Sequence, residues 1–163
     1  MRTPASIAKH PIHPMLIVFP IGLWVFSLIS DVIFLLRENP LWNDIAFYTM
    51  IGGLSGALLA AIPGLIDMFS IADPKAGKLA WNHMVMNFIT VAVYALNLYL
   101  RTTLPASALF PVLLSLVGVL LLAVAGWLGG ELAYVHGVGV DPRRKGLASE
   151  KSQPAPNKLR RMG

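Results

Sequence analysis

The chain has 163 residues, of which 56% are hydrophobic and 13% charged, with a mean hydropathy of +0.66. Soluble domains carry about 25% charged residues, so this composition excludes a disordered chain and argues against a water-soluble globule. A net charge of +5 raises nucleic acid as a partner, but the cations flank apolar stretches, and zero cysteines exclude disulfides, thiolate metal sites, iron–sulfur ligation and covalent c-type haem.

Four apolar stretches follow in chain order. The first, residues 15–36, carries Asp31 as its only formal charge. It exceeds a typical signal-peptide core and has no small-x-small cleavage site after it, so it reads as a retained span. The second, 45–72, is interrupted only by Asp67. The third, 79–100, has no Asp, Glu, Lys or Arg, and the fourth, 104–134, has only Glu131. Each is long enough as a helix to cross the ~30 Å hydrocarbon layer. No alternating strand pattern is present, and helices are then the way to satisfy the backbone in lipid.

The expected fold is therefore all-α: an integral membrane four-helix bundle with antiparallel up-down topology and both termini on one side. Residues 1–140 form the transmembrane domain, and 141–163 a flexible basic tail. The connectors are read as Arg37-Glu38-Asn39-Pro40, Asp73 to Lys78, and Arg101-Thr102-Thr103. Trp42 and Trp81 mark membrane boundaries. The side holding the termini carries Arg2, Lys9, Lys75, Lys78, Arg143, Arg144, Lys145 and Lys151; the other carries Arg37 and Arg101. That bias predicts cytoplasmic termini in a bacterial inner membrane. The basic tail then reads as a topology signal and an anionic-lipid contact, with the bilayer and no nucleic acid as partner.

Polar residues inside the spans are patterned. His83, Asn87, Thr90, Tyr94, Asn97 and Arg101 are spaced 4, 3, 4, 3, 4 and share one helical face. That face should turn inward, since unpaired polar groups are costly in hydrocarbon. The second span has a stripe of Thr49, Gly52, Gly56, Ala60, Pro63 and Asp67; the first offers Pro20, Trp24, Ser27 and Asp31; the fourth has Gly126-x-x-x-Gly130. Close helix packing and interhelical hydrogen bonds account for much of this. No internal inverted repeat is evident.

The chemistry-bearing feature is the histidine set. His10, His13, His83 and His136 all fall at one predicted membrane face, with Asp67 and Glu131 near it. Those carboxylates are expected behind the imidazoles, fixing tautomers, with Asn87 in the same supporting role. In His10-Pro11-Ile12-His13-Pro14 each histidine precedes proline, which disfavours helix and favours an extended polyproline-like stretch with the rings ~9 Å apart. Pro14 then opens the helix. The four imidazoles are candidate ligands for b-type haem or for a divalent metal ion, or candidate proton carriers. A fourth use is structural, tying the end of the bundle through hydrogen bonds. Gly137 and Gly139 permit a tight turn after the fourth helix. No complete catalytic constellation is present, so an enzyme is not indicated.

These pieces resemble the bacterial family of predicted membrane proteins grouped as domain of unknown function 2231. The matching residues are His-Pro-Ile-His-Pro with Phe19-Pro20, Gly64-Leu-Ile-Asp67, His83-x-x-x-Asn87, and the run from Gly129 to Val140. The resemblance implies a four-helix inner-membrane protein. Relatives that look fused to Rieske-type domains imply electron transfer, although this chain holds no cysteine for such a cluster. Three functions remain open: a haem or metal redox module with a redox partner, an ion or proton permease, and a non-catalytic scaffold or accessory subunit, the last consistent with a homo-oligomer.

Overall fold

A computed structural model describes residues 3–140. Arg2, the basic tail at 141–163 and the cations counted there lie outside the described residues. A short antiparallel ribbon comes first, β1 (Ser6–Ile7) with β2 (His10–Pro11). Its two-residue turn is Ala8-Lys9, with φ of +48° and +68°. Five helices follow: α1 (Ile12–Leu16), α2 (Val18–Arg37), α3 (Pro40–Phe69), α4 (Pro74–Thr103) and α5 (Leu109–Tyr134). α1 runs into α2 through Ile17, and four units are long and apolar enough to cross a membrane.

The helices begin and end where capping chemistry acts, which shifts the expected connectors. Pro40 starts α3 rather than stopping α2, because the Asn39 side chain accepts from the Leu41 N–H at 3.0 Å and proline fits the first helical position. Asp73 does the same for Lys75 N–H ahead of Pro74, so Lys75 to Lys78 are helical. Arg101, Thr102 and Thr103 continue α4, and the break falls at Leu104–Ala108, which contains Pro105. α3 and α4 have 30 residues each, about 45 Å, longer than the ~30 Å hydrocarbon layer. The polyproline expectation for His13 is overturned. Ile12 to Leu16 is helical, and Pro14 sits in the first turn, where its missing N–H has no helical partner to lose.

Each helix buries a narrow strip, rich in small and polar residues around the large Trp24, Met50 and Tyr94. Ser27, Ser30, Asp31, Thr90, Asn97 and Ser115 are buried, while Phe69, Phe88 and Trp127 are more than 70% exposed. This inverts the distribution of a soluble protein and suits lipid as the surrounding solvent. Among the described residues no buried side-chain N or O lacks a hydrogen-bond partner.

The bundle consists of two helical pairs that repeat each other's contacts. In the first, Ser27 Oγ donates to the Ala46 carbonyl (2.8 Å), Trp24 Nε1 to Met50 (3.4 Å) and His13 Nδ1 to Ala60 (2.8 Å). In the second, Asn97 Nδ2 donates to Pro111 (2.9 Å), Tyr94 Oη to Ser115 (3.4 Å) and His83 Nδ1 to Ala125 (2.8 Å). The donors 13, 24 and 27 map on 83, 94 and 97 by one offset, and the acceptors 46, 50 and 60 map on 111, 115 and 125 by another. Equivalent residues also meet each other. Trp24 and Tyr94 stack at 4.1 Å with 8° between planes, and Arg101 pairs with Asp31. A two-fold axis between the pairs produces such self-equivalent contacts. The repeat is direct rather than inverted: α2 and α4 each start at the histidine end and finish at the ion-pair end.

Candidate functional site

At the histidine end the chain prepares two similar seats. The His13 ring lies against Gly64 of α3, one turn beyond the Ala60 carbonyl it bonds. A Cβ at Gly64 would come within 2.7 Å of its Nδ1. The His83 ring lies against Gly129 of α5, one turn beyond the Ala125 carbonyl, where a Cβ would approach Cε1 to 3.0 Å. A carbonyl only accepts, so each Nδ1 carries a proton, and in the neutral form of either ring the lone pair is on Nε2. This is the tautomer of many ligating imidazoles, with the second ring nitrogen tied to a backbone carbonyl. The two rings face each other edge to face, with centroids 6.2 Å apart and planes 87° apart.

The remaining predicted site residues are arranged differently. His10 is exposed, with its ring held by the Ala8 carbonyl at 2.9 Å. His136 lies half-buried beside Asp73, with Nδ1 to Oδ2 at 3.9 Å. Asp67 is buried, but it accepts from the Ala5 N–H at 2.9 Å, pinning the N-terminal segment to the end of α3. The Glu131 carbonyl accepts from the Val135 and His136 N–H groups as α5 ends. The His13 and His83 N–H groups thus go to backbone carbonyls, and His136 faces Asp73, rather than Asp67 or Glu131. Glycine seats deep in the helix interface place those carbonyls within reach, whereas the carboxylates sit nearer the end. Asn87 does belong to the site. Its Nδ2 donates to the His83 carbonyl at 2.8 Å and lies 3.1 Å from His83 Nε2.

Two of the four expected imidazoles are therefore together. Among the described residues no group of three or more His, Cys, Asp or Glu could hold a metal ion. Zinc usually takes three or four protein ligands, so the pair is two donors short of a closed divalent site. A haem iron asks the protein for only two axial donors. Below the pair, the Trp24–Tyr94 stack fills the axis, and the Asp31–Arg101 pair follows. Ser115 Oγ donates to Asp31 at 3.0 Å, and Asn97 Nδ2 donates to Ser115 Oγ at 2.9 Å. A cavity of about 50 Å³ adjoins this pair, lined by Asp31, Arg101 and Asn43 with the Leu104–Ala108 turn.

Sequence reasoning missed the glycine seats and the repeat. The signal was present as matched spacing: His13 to Trp24 equals His83 to Tyr94, and Gly53 to Gly64 equals Gly118 to Gly129.

The model of a predicted membrane protein family, domain of unknown function 2231, matches residues 9–142. The chain belongs to that family. The match takes in both histidine seats, both helical pairs and the glycine-rich run through Val140. No curated protein and no solved structure matches the chain. Membership of this family therefore supports a membrane protein with four apolar helices and leaves its activity to be argued from the site.

Proposed function

We propose that this protein is a b-type haem module for electron transfer in the bacterial inner membrane, in which His13 and His83 would hold the haem. The observation that carries it is the matched pair of seats. Two imidazoles from separate helical pairs meet at the axis, each with Nδ1–H tied to a carbonyl and its lone pair on Nε2. When bound, the haem would supply one-electron chemistry; the chain orients its ligands and surrounds them with apolar helices. To bind, it must open the space between the rings, and Asn87 must release His83 Nε2.

The membrane arrangement is up-down with both termini cytoplasmic. Arg101 is buried against Asp31, so it does not count as a loop charge. Arg37 is then left alone against Lys9, Lys75 and Lys78 and the basic ends of the chain. An ion or proton permease gains less support, because the stacked Trp24 and Tyr94 and the ion pair occupy the path that the polar stripe would line. A redox partner follows from the haem reading. A scaffold role is what remains if that reading fails.

The test is absorption spectroscopy of the chain purified in detergent and titrated with haem. A Soret band at one haem per chain is expected. The His13→Ala/His83→Ala double variant should lose it, and His10→Ala or His136→Ala should keep it. No band in the wild-type chain, or a band indifferent to the double variant, overturns the proposal.

A further inference from the structure

We infer that the cavity beside the Asp31–Arg101 pair is a water-filled entry, which reaches the pair from the end of the bundle away from the histidines and ends there. The cavity lies on the axis between the helical pairs, because equivalent residues line it from both. By the offsets of the repeat, Asp31 answers to Arg101, Phe34 to Leu104 and Asn43 to Ala108. The room comes from unequal sizes. Ala108 and Val112 stand where the first pair has the larger Asn43 and Phe47. The volume of about 50 Å³ takes about three water molecules at ~15 Å³ each. The exposed turn Leu104-Pro105-Ala106 forms its mouth. This entry does not depend on haem.

The polar atoms at the cavity complement one another without meeting. Arg101 gives Nε to Asn97, and Nη2 to Asp31 and Ser115. The donors that reach Asp31, from Arg101 and Ser115, both go to Oδ2. Among the described residues Nη1 of Arg101 has no protein acceptor, Oδ1 of Asp31 no protein donor, and the half-buried Asn43 amide neither. Among those residues, too, no buried side-chain nitrogen or oxygen lacks a partner. These atoms are therefore not sealed in protein; they open on the cavity that their residues line. A donor and an acceptor side by side exclude most occupants. A cation would face the guanidinium, an anion the carboxylate, and an acyl chain would leave both unpaired at a cost. Water gives to one and accepts from the other, and two to four polar partners hold it. Asp31 thereby exchanges its proton with this side alone, because the Trp24–Tyr94 stack fills the axis beyond the pair.

Hydroxyl radicals made by a brief X-ray pulse arise from water and oxidise the side chains that water touches. The experiment applies them to the full chain in lipid nanodiscs and reads the modified residues by mass spectrometry. Val112 lines the cavity, while its neighbour Leu113 is 56% exposed on the lipid face of the same turn. The two aliphatic side chains have similar intrinsic reactivity, so Val112 should be oxidised several-fold faster. Ala108→Leu, which fills the cavity, should bring Val112 down to the Leu113 rate and lower oxidation of Phe34, which also lines the cavity. Asn43→Leu removes the polar lip and should act in the same direction, and it decides the matter if Ala108→Leu does not fold. Equal rates at Val112 and Leu113 in the wild-type chain, or rates at Val112 and Phe34 that no folded filling variant lowers, overturn the inference.

Discussion

The two helical pairs share a plan and differ in what they place on the axis. At one end the equivalents are identical, His13 and His83. In the middle they are similar, Trp24 and Tyr94. At the far end they are opposite, Asp31 and Arg101. Electrostatics explains the gradient. Residues that meet their own equivalents across a two-fold axis face themselves. Two neutral imidazoles or two aromatic rings tolerate that. Two aspartates or two arginines in a low-dielectric interior do not. The charged end therefore needs two different sequences, while the histidine end keeps the same residue twice.

The largest effect is expected where the difference is sharpest. Arg101→Ala strands Asp31, whose side chain is 2% exposed, and Asp31→Ala strands an arginine 7% exposed. Breaking a buried pair in this way costs about 3–5 kcal/mol. Thermal unfolding in detergent should show it as a large fall in Tm for each single variant. The swap Asp31→Arg/Arg101→Asp should recover a substantial part, because the contact joins equivalent positions. A swap as damaging as either single change would break the symmetry argument. Ser115 and Asn97 set the limit on recovery, since both are arranged for the present polarity.

Next in size are the glycines that each pair keeps beneath its central ring. A Cβ at Gly53 would lie 2.4 Å from Trp24, and one at Gly118 would lie 2.6 Å from Tyr94. Neither ring can yield, because each is stacked on the other. Gly53→Ala and Gly118→Ala should each destabilise by about 1–3 kcal/mol. Gly126→Ala, with nothing within 4 Å of its added Cβ, should be near neutral by the same measurement. Gly126 also belongs to the Gly126-x-x-x-Gly130 pattern, and Gly130 is equally open, so that motif does not mark a close approach within this chain.

How much of this was legible follows from what each signal depends on. The four spans come from length and hydropathy, which the bilayer fixes, and the inward turn of Thr90, Tyr94 and Asn97 comes from helical periodicity. Helix starts were displaced because Pro40 and Pro74 are ambiguous letters: after an apolar run proline reads as a stop, yet with Asn39 or Asp73 before it proline begins the next helix. The histidine set was half legible. Topology gathers four imidazoles at one end, but only a glycine one turn beyond a carbonyl gives an imidazole a seat, and that relation joins residues 47 and 42 positions apart. Spacing along one helix cannot reveal it. The repeat was hidden because its donors differ in chemistry while sharing geometry, serine with asparagine and tryptophan with tyrosine.

The smallest expected effect tests that shared geometry most directly. Ser27 and Asn97 are equivalent donors, to the Ala46 and Pro111 carbonyls. Ser27 makes that single bond. Asn97 also donates to Ser115 Oγ, and its Oδ1 accepts from Arg101 Nε at 3.3 Å. Ser27→Ala removes one interhelical bond and leaves a carbonyl that keeps its helical partner, so the loss should be about 0.6 kcal/mol. Asn97→Ala removes three contacts and takes a neighbour from the buried guanidinium, so its loss in Tm should be several times larger. Equal losses would mean that the carbonyl bond common to both positions carries the energy and the ion-pair network carries little. The ratio between the two variants thus measures how far the second pair has departed from the plan it shares with the first.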